Sequence, residues 1–86
     1  MYYVYILKSK KDNKFYIGYS KNLKQRLFEH NRGNVESTRN RRPLELVYYE
    51  AYRDEEDAKT REKSFKNSGS VYNGLIKRIE KSVKGL

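Results

Sequence analysis

The stretch from Tyr2 to His30 decides the fold: residues 2–7 read YYVYIL, 8–14 KSKKDNK, 15–19 FYIGY and 20–30 SKNLKQRLFEH. The first run is β-branched and aromatic and is closed by Lys8, which predicts a strand. The polar segment around Asp12-Asn13 is a turn connection, and FYIGY is a second strand, so the pair forms an antiparallel hairpin. Alternation puts Tyr3, Tyr5 and Leu7 on one face, with Val4 and Ile6 opposite. On the second strand Tyr16 and Gly18 share a face, opposite Phe15, Ile17 and Tyr19. Asn22 then reads as an N-cap with Gln25 three residues on. Leu23 and Leu27 supply an apolar stripe and Gly33 a C-terminal cap, giving a helix of about 22–31.

Working outward, residues 34–43 (NVESTRNRRP) are a polar, Arg-rich loop, and residues 44–52 (LELVYYEAY) a third strand. Asp54 caps a second helix whose acidic first turn suits the helix dipole; it runs to about Lys66 and is stopped by Asn67-Ser68-Gly69. Leu75, Ile76, Ile79 and Val83 have the spacing of a third helix. The order is β-β-α-β-α-α. This is an α/β chain of the α+β type, a three-stranded, mostly antiparallel sheet flanked by about three helices. We expect a single domain over residues 1–86.

Composition bounds the chemistry. The chain has 86 residues, 20 Lys+Arg against 11 Asp+Glu, a net charge of +9, nine Tyr, one His and no Cys. A domain of this size buries only about 60–65% of its unfolded surface. Without Cys there is no disulfide framework, thiol nucleophile or Cys-type metal site, which fits a reducing, cytoplasmic location. One His rules out His-rich zinc clusters, and the glycines form neither GxxxxGK[ST] nor GxGxxG. No apolar run approaches the roughly 18 residues of a membrane span, and no leader pattern opens the chain. Residues 1–47 hold eleven basic and four acidic side chains, net +7; residues 48–86 hold nine and seven, net +2. A basic, tyrosine-bearing first half suits a phosphate backbone, although charge excess also serves solubility.

Four features could carry chemistry. Tyr5 and Tyr16 form a tyrosine pair across the hairpin, and Gly18 inside a strand signals a bulge or a close approach; the plain alternative is β-propensity alone. Arg26 and His30 stand at i, i+4 on one helix face, where Arg suits a phosphate and His titrates near neutrality; the alternative is a solvated face with His30 at a helix end. Glu62 falls with Ala58 and Phe65 on the inward stripe of the second helix, or else pairs with Lys59 or Lys66. Arg39, Arg41 and Arg42 are phosphate contacts or a solvated loop.

The ordered set Tyr3-Val4-Tyr5, Tyr16-Ile17-Gly18, then Asn22-Leu23 with Arg26 and His30, resembles the GIY-YIG nuclease family, especially its small stand-alone single-domain endonucleases. With the later REKSFK, the resemblance runs from Tyr2 to about Ile79. It implies a βββ core with helices and metal-dependent hydrolysis of phosphodiester bonds, DNA first and RNA second. On this resemblance Tyr5, Tyr16, Arg26, His30 and Glu62 are catalytic, and Glu62 holds a single Mg²⁺ or Mn²⁺. Gly18, Tyr19, Lys21, Arg39, Arg41, Arg42 and Asn73 are expected nucleic-acid contacts. Two positions depart from the pattern: Tyr3 stands where the first motif has glycine, and Tyr19 where Lys or His often follows the second.

Three residues compete as the general base. Ionising Tyr5 or Tyr16 at pH 7 costs about 4 kcal/mol from a reference pKa of about 10, a cost that Arg26 and the surrounding positive charge should lower. His30 has the more convenient pKa. A monomer is expected, with a partner protein supplying substrate targeting. The rival functions are a non-catalytic nucleic-acid-binding module and a protein-interaction domain on the same fold.

Overall fold

Residues 1–85 are described by a computed structural model. The hairpin forms as expected, β1 (Tyr2–Ser9) against β2 (Phe15–Ser20), followed by α1 (Leu23–Arg32) and β3 (Leu44–Tyr52). Both pairings are antiparallel and β1 is central, in the order β2-β1-β3. Against β3 the register shifts between Ile6 and Leu7, which pair with Tyr48 and Leu46. This bulge keeps Leu46 on the Leu7 side of the sheet and leaves Val47 on the other.

Period-two alternation divides the core into two layers. Val4 and Ile6 pack with Ala58, Phe65 and Leu75 on one face; Tyr5, Leu7 and Leu44 pack with Leu23 and Leu27 on the other. The helix α1 therefore covers one face of the sheet, and α2 (Glu55–Asn67) with the helices after it covers the other. Capping explains the ends of α1. The Asn22 side chain accepts the Gln25 N–H at 3.1 Å, and Gly33 adopts φ 84°, left-handed geometry that glycine tolerates best.

The third expected helix is two: α3 (Gly69–Arg78) and α4 (Glu80–Lys84). The chain leaves helical geometry at Ile79 (φ −105°, ψ 27°). The turn lays α4 back toward the sheet, where Lys8 Nζ donates to the Val83 carbonyl at 3.0 Å. The 34–43 loop is also more ordered than its polarity suggested. It contains one 3-10 turn, Arg39–Arg41, and Ser9 Oγ donates to the Arg41 carbonyl at 2.6 Å. Asn31 bridges α1 to the start of β3, donating to the Leu44 carbonyl and accepting the Leu44 N–H.

Candidate active site

The register pairs Tyr5 with Gly18 and Leu7 with Tyr16. A Cβ at Gly18 would fall within 2.8 Å of Tyr5 Cε1 and closer still to Cζ and Oη, so the close approach at this glycine is the ring of Tyr5 itself. The ring crosses β2 beneath α1. Its Oη lies 2.8 Å from His30 Nε2, and His30 Nδ1 lies 2.7 Å from Thr38 Oγ1. Tyr5 is 1% exposed, and His30 and Thr38 are 0% exposed. Tyr16 closes the cluster edge-on to the imidazole, with ring centroids 5.1 Å apart, and keeps part of its surface open.

Electrostatics follow from this burial. Loss of water pushes the Tyr5 hydroxyl up to about 12; Arg26 opposes the rise, and Tyr16 and Glu62 add to it. Arg26 thus lowers the cost of ionising Tyr5, as expected from the sequence, but desolvation outweighs the cation and the net shift is upward. Burial, reinforced by the charge of Arg26, takes His30 down to about 4, so the imidazole is neutral at pH 7. His30 has no open surface, and its ring nitrogens are engaged by Tyr5 and Thr38. Arg26 stays cationic beside Tyr5, and its Nε is buried without a hydrogen-bond partner.

Glu62 enters from the opposite layer. Ala58 and Phe65 are buried as the helical stripe requires, while the Glu62 side chain is 23% exposed and pairs with Lys66 Nζ at 3.1 Å. Both sequence alternatives are therefore realised, a half-buried carboxylate and an i, i+4 ion pair. Its charge reaches the hydroxyls of Tyr5 and Tyr19. Tyr19 donates to Glu55 Oε2 at 2.5 Å, with Lys59 Nζ 5.8 Å from its ring centroid. Burial, followed by that acceptor, takes Tyr19 up to about 12. Lys21 Nζ reaches the same Glu55 carboxylate at 4.0 Å.

The other expected contacts scatter. Arg41 lies between Asp12 and the Phe15 carbonyl, 3.1 and 3.4 Å from Nε and Nη2, and fastens the loop to the hairpin. Arg39 Nε donates to the Gly33 carbonyl and Arg42 Nε to the Arg39 carbonyl, folding both exposed residues over the end of α1, with the Arg42 guanidinium packed against Gly33. Asn73 sits on α3 in a separate surface groove with Phe15, Ile76 and Lys77, lined by none of the five candidate catalytic residues. A second groove of about 530 Å³ runs between α1 and β3, floored by Tyr3, Leu46 and Tyr49 and rimmed by Lys21 and Lys24.

Thr38 and Glu55 went unnoticed in the sequence, and Lys59, expected as a partner for Glu62, pairs with Glu55 instead. Thr38 lies in a polar loop with no periodicity to mark it. Glu55 looked like ordinary first-turn helix acidity. The only available clue to the pairing of Glu55 with Lys59 was their i, i+4 spacing.

A hairpin that crosses a tyrosine over a glycine, beside a helix presenting Arg and His, defines a class. The model of the GIY-YIG catalytic domain matches residues 1–74, and the chain belongs to the GIY-YIG family, a family of nucleases. Its relatives include UPF0213 proteins. One from Clostridium perfringens is 44% identical over 63 residues, covering 72% of this chain and 67% of that protein. Another, from Staphylococcus haemolyticus, is 42% identical over 66 residues, covering 76% and 79%. The solution NMR structure of the UPF0213 protein BH0048 from Bacillus halodurans superposes with a TM-score of 0.57 at 34% identity, covering 90% of this chain and 84% of that one.

Proposed function

We propose that this protein is an endonuclease that hydrolyses phosphodiester bonds of DNA with one divalent metal ion, held by Glu62. The observation that carries the reading is the convergence of Tyr5, Tyr16, Arg26 and His30 from a hairpin and one helix, together with the half-buried Glu62 carboxylate on α2, whose charge adds to the upward shift of Tyr5. Nucleic-acid binding alone needs no half-buried carboxylate within the field of a buried tyrosine.

The donor set fits Mg²⁺ or Mn²⁺. Among the described residues no three His, Cys, Asp or Glu side chains gather into a cage, so the proposed ion rests on Glu62. Mg²⁺ commonly binds through one or two carboxylates and completes its shell with water and substrate phosphate. When bound, the ion would supply Lewis-acid polarisation of a phosphoryl oxygen.

The chain's own residues divide the remaining work. Arg26 grips the phosphate and stabilises the charge that develops on it, an effect worth about 10²–10³ in rate for one donor. Tyr16, with open surface, holds the attacking water. Tyr5 and His30 form the buried backing that fixes both.

The test is cleavage of single-stranded, duplex and branched DNA, and of RNA, with Mg²⁺ or Mn²⁺. We expect metal-dependent cleavage of DNA that Glu62→Ala abolishes. Binding without cleavage on every substrate overturns the proposal in favour of a binding module. Cleavage by Glu62→Ala equal to that of the parent removes Glu62 from the site.

A further inference from the structure

The Tyr5–His30–Thr38 chain carries one proton per link, and its direction can be argued from its two ends. The neutral imidazole has a single N–H, so either Tyr5 donates to Nε2 and Nδ1–H donates to Thr38, or every bond runs the other way. The groups facing the imidazole are Tyr5, Tyr16, Arg26 and Thr38. Among the described residues the Tyr5 hydroxyl has one hydrogen-bond partner, His30 Nε2, and no other acceptor for its proton. That leaves the phenol proton to go inward. The same direction joins the more acidic hydroxyl to the imidazole lone pair and the imidazole N–H to the aliphatic hydroxyl, each donor meeting the better acceptor.

We infer that Thr38 is a positioning residue: its Oγ1 accepts from His30 Nδ1, holds the ring as the Nδ1–H tautomer, and thereby makes Nε2 the acceptor for the Tyr5 proton. This polarity turns the Tyr5 proton inward and leaves the oxygen lone pairs to the side on which the Arg26 charge acts. It adds to the proposed nuclease site a residue that lies eight positions beyond His30, in the loop, with no open surface. Isolated imidazole favours the other tautomer, so the protein must impose this one through a dedicated acceptor. Thr38 is the acceptor in reach.

The molecule has one histidine, so ¹⁵N–¹H NMR of the metal-free protein at pH 7 reads the tautomer from a single imidazole. We expect the proton on Nδ1 in the parent and in Thr38→Ser, which keeps the hydroxyl. Thr38→Val, nearly the same shape without it, is expected to move the proton to Nε2. An Nε2–H tautomer in the parent overturns the inference, as does an Nδ1–H tautomer that persists in Thr38→Val. The parent and Thr38→Ser suffice should the valine variant not fold. None of these readings requires cleavage, so a failed nuclease assay and a failed tautomer assignment remain separate results. If both hold, Thr38→Val is also expected to lower kcat at least tenfold with little change in KM, and Thr38→Ser to restore it.

Discussion

The ring of Tyr5 occupies the volume that any side chain at Gly18 would need. The glycine is therefore required by contact, since no positive φ is recorded there. Gly18→Ala must displace the ring or bend β2, and overpacking of this kind costs about 1–3 kcal/mol. The displaced hydroxyl would also uncover the imidazole. We expect Gly18→Ala to lower the thermal midpoint and to bring the His30 pKa back toward its ordinary value. Unchanged melting together with unchanged His30 titration would contradict the packing described.

His30 gives stability a defined pH dependence. Its pKa falls from 6.5 in the unfolded chain to about 4 in the folded one. Between those values the unfolded chain binds the extra proton, so stability is full above about pH 6.5 and declines as pH falls toward 4. The total loss is about 3 kcal/mol. Asp12, Glu50 and Glu55, whose pKa values are also lowered, add losses at the acid end. The comparison is therefore between urea-unfolding curves of the parent and His30→Gln from pH 4 to 7. The variant should be less stable at pH 7 and nearly flat across the upper part of this window. Parallel curves would show that His30 is not held neutral by the fold.

A second network fixes the helix that carries Glu62. Arg61 donates to both oxygens of Glu50, at 2.9 and 3.1 Å, and Tyr48 and Tyr52 donate to the same carboxylate. Burial pushes Glu50 up, but these donors outweigh it and hold the carboxyl below its usual range. Arg61→Ala would leave a mostly buried carboxylate on tyrosine donors alone, at a cost of about 1–3 kcal/mol. Arg61→Lys keeps charge but loses the fork and should fall between. Denaturant unfolding of the three proteins checks the order; an alanine variant within 0.5 kcal/mol of the parent, on the scale of surface substitutions, would refute it.

What the sequence made legible followed from local rules. Alternation in YYVYIL and FYIGY assigned the faces of Tyr5, Tyr16 and Gly18, and Asn22 and Gly33 bounded α1 almost to the residue. β3 runs over the span its composition indicated. Hairpin pairing and i, i+4 spacing, both local, grouped Tyr5 with Tyr16 and Arg26 with His30; that the two pairs meet, with Tyr5 and His30 25 positions apart, followed only from the family resemblance. What was not readable depends on partners distant in the chain. Thr38 reaches His30 only because the loop folds beneath α1, and Arg41 meets Asp12 across 29 positions. The desolvation that outweighs Arg26 at Tyr5 was hidden for the same reason, since the depth of burial is a property of the packed layers.

The arginines of the 34–43 loop should separate experimentally into one structural and two open cations. Arg41 is tied to Asp12 and the Phe15 carbonyl, with its side chain mostly covered. Arg39 and Arg42 are exposed and spend only Nε on carbonyls. A phosphate contact contributes about 0.9 to the slope of log K against log salt on duplex DNA. Arg39→Ala or Arg42→Ala should each reduce that slope by about one in metal-free binding titrations, with melting unchanged within a few degrees. Arg41→Ala should leave the slope alone and lower stability by about 1 kcal/mol, the scale of a partly buried, charge-assisted hydrogen bond. The reverse pattern, with Arg41 governing the salt slope, would mean that the loop opens to bind and that its Asp12 contact is exchanged for a phosphate.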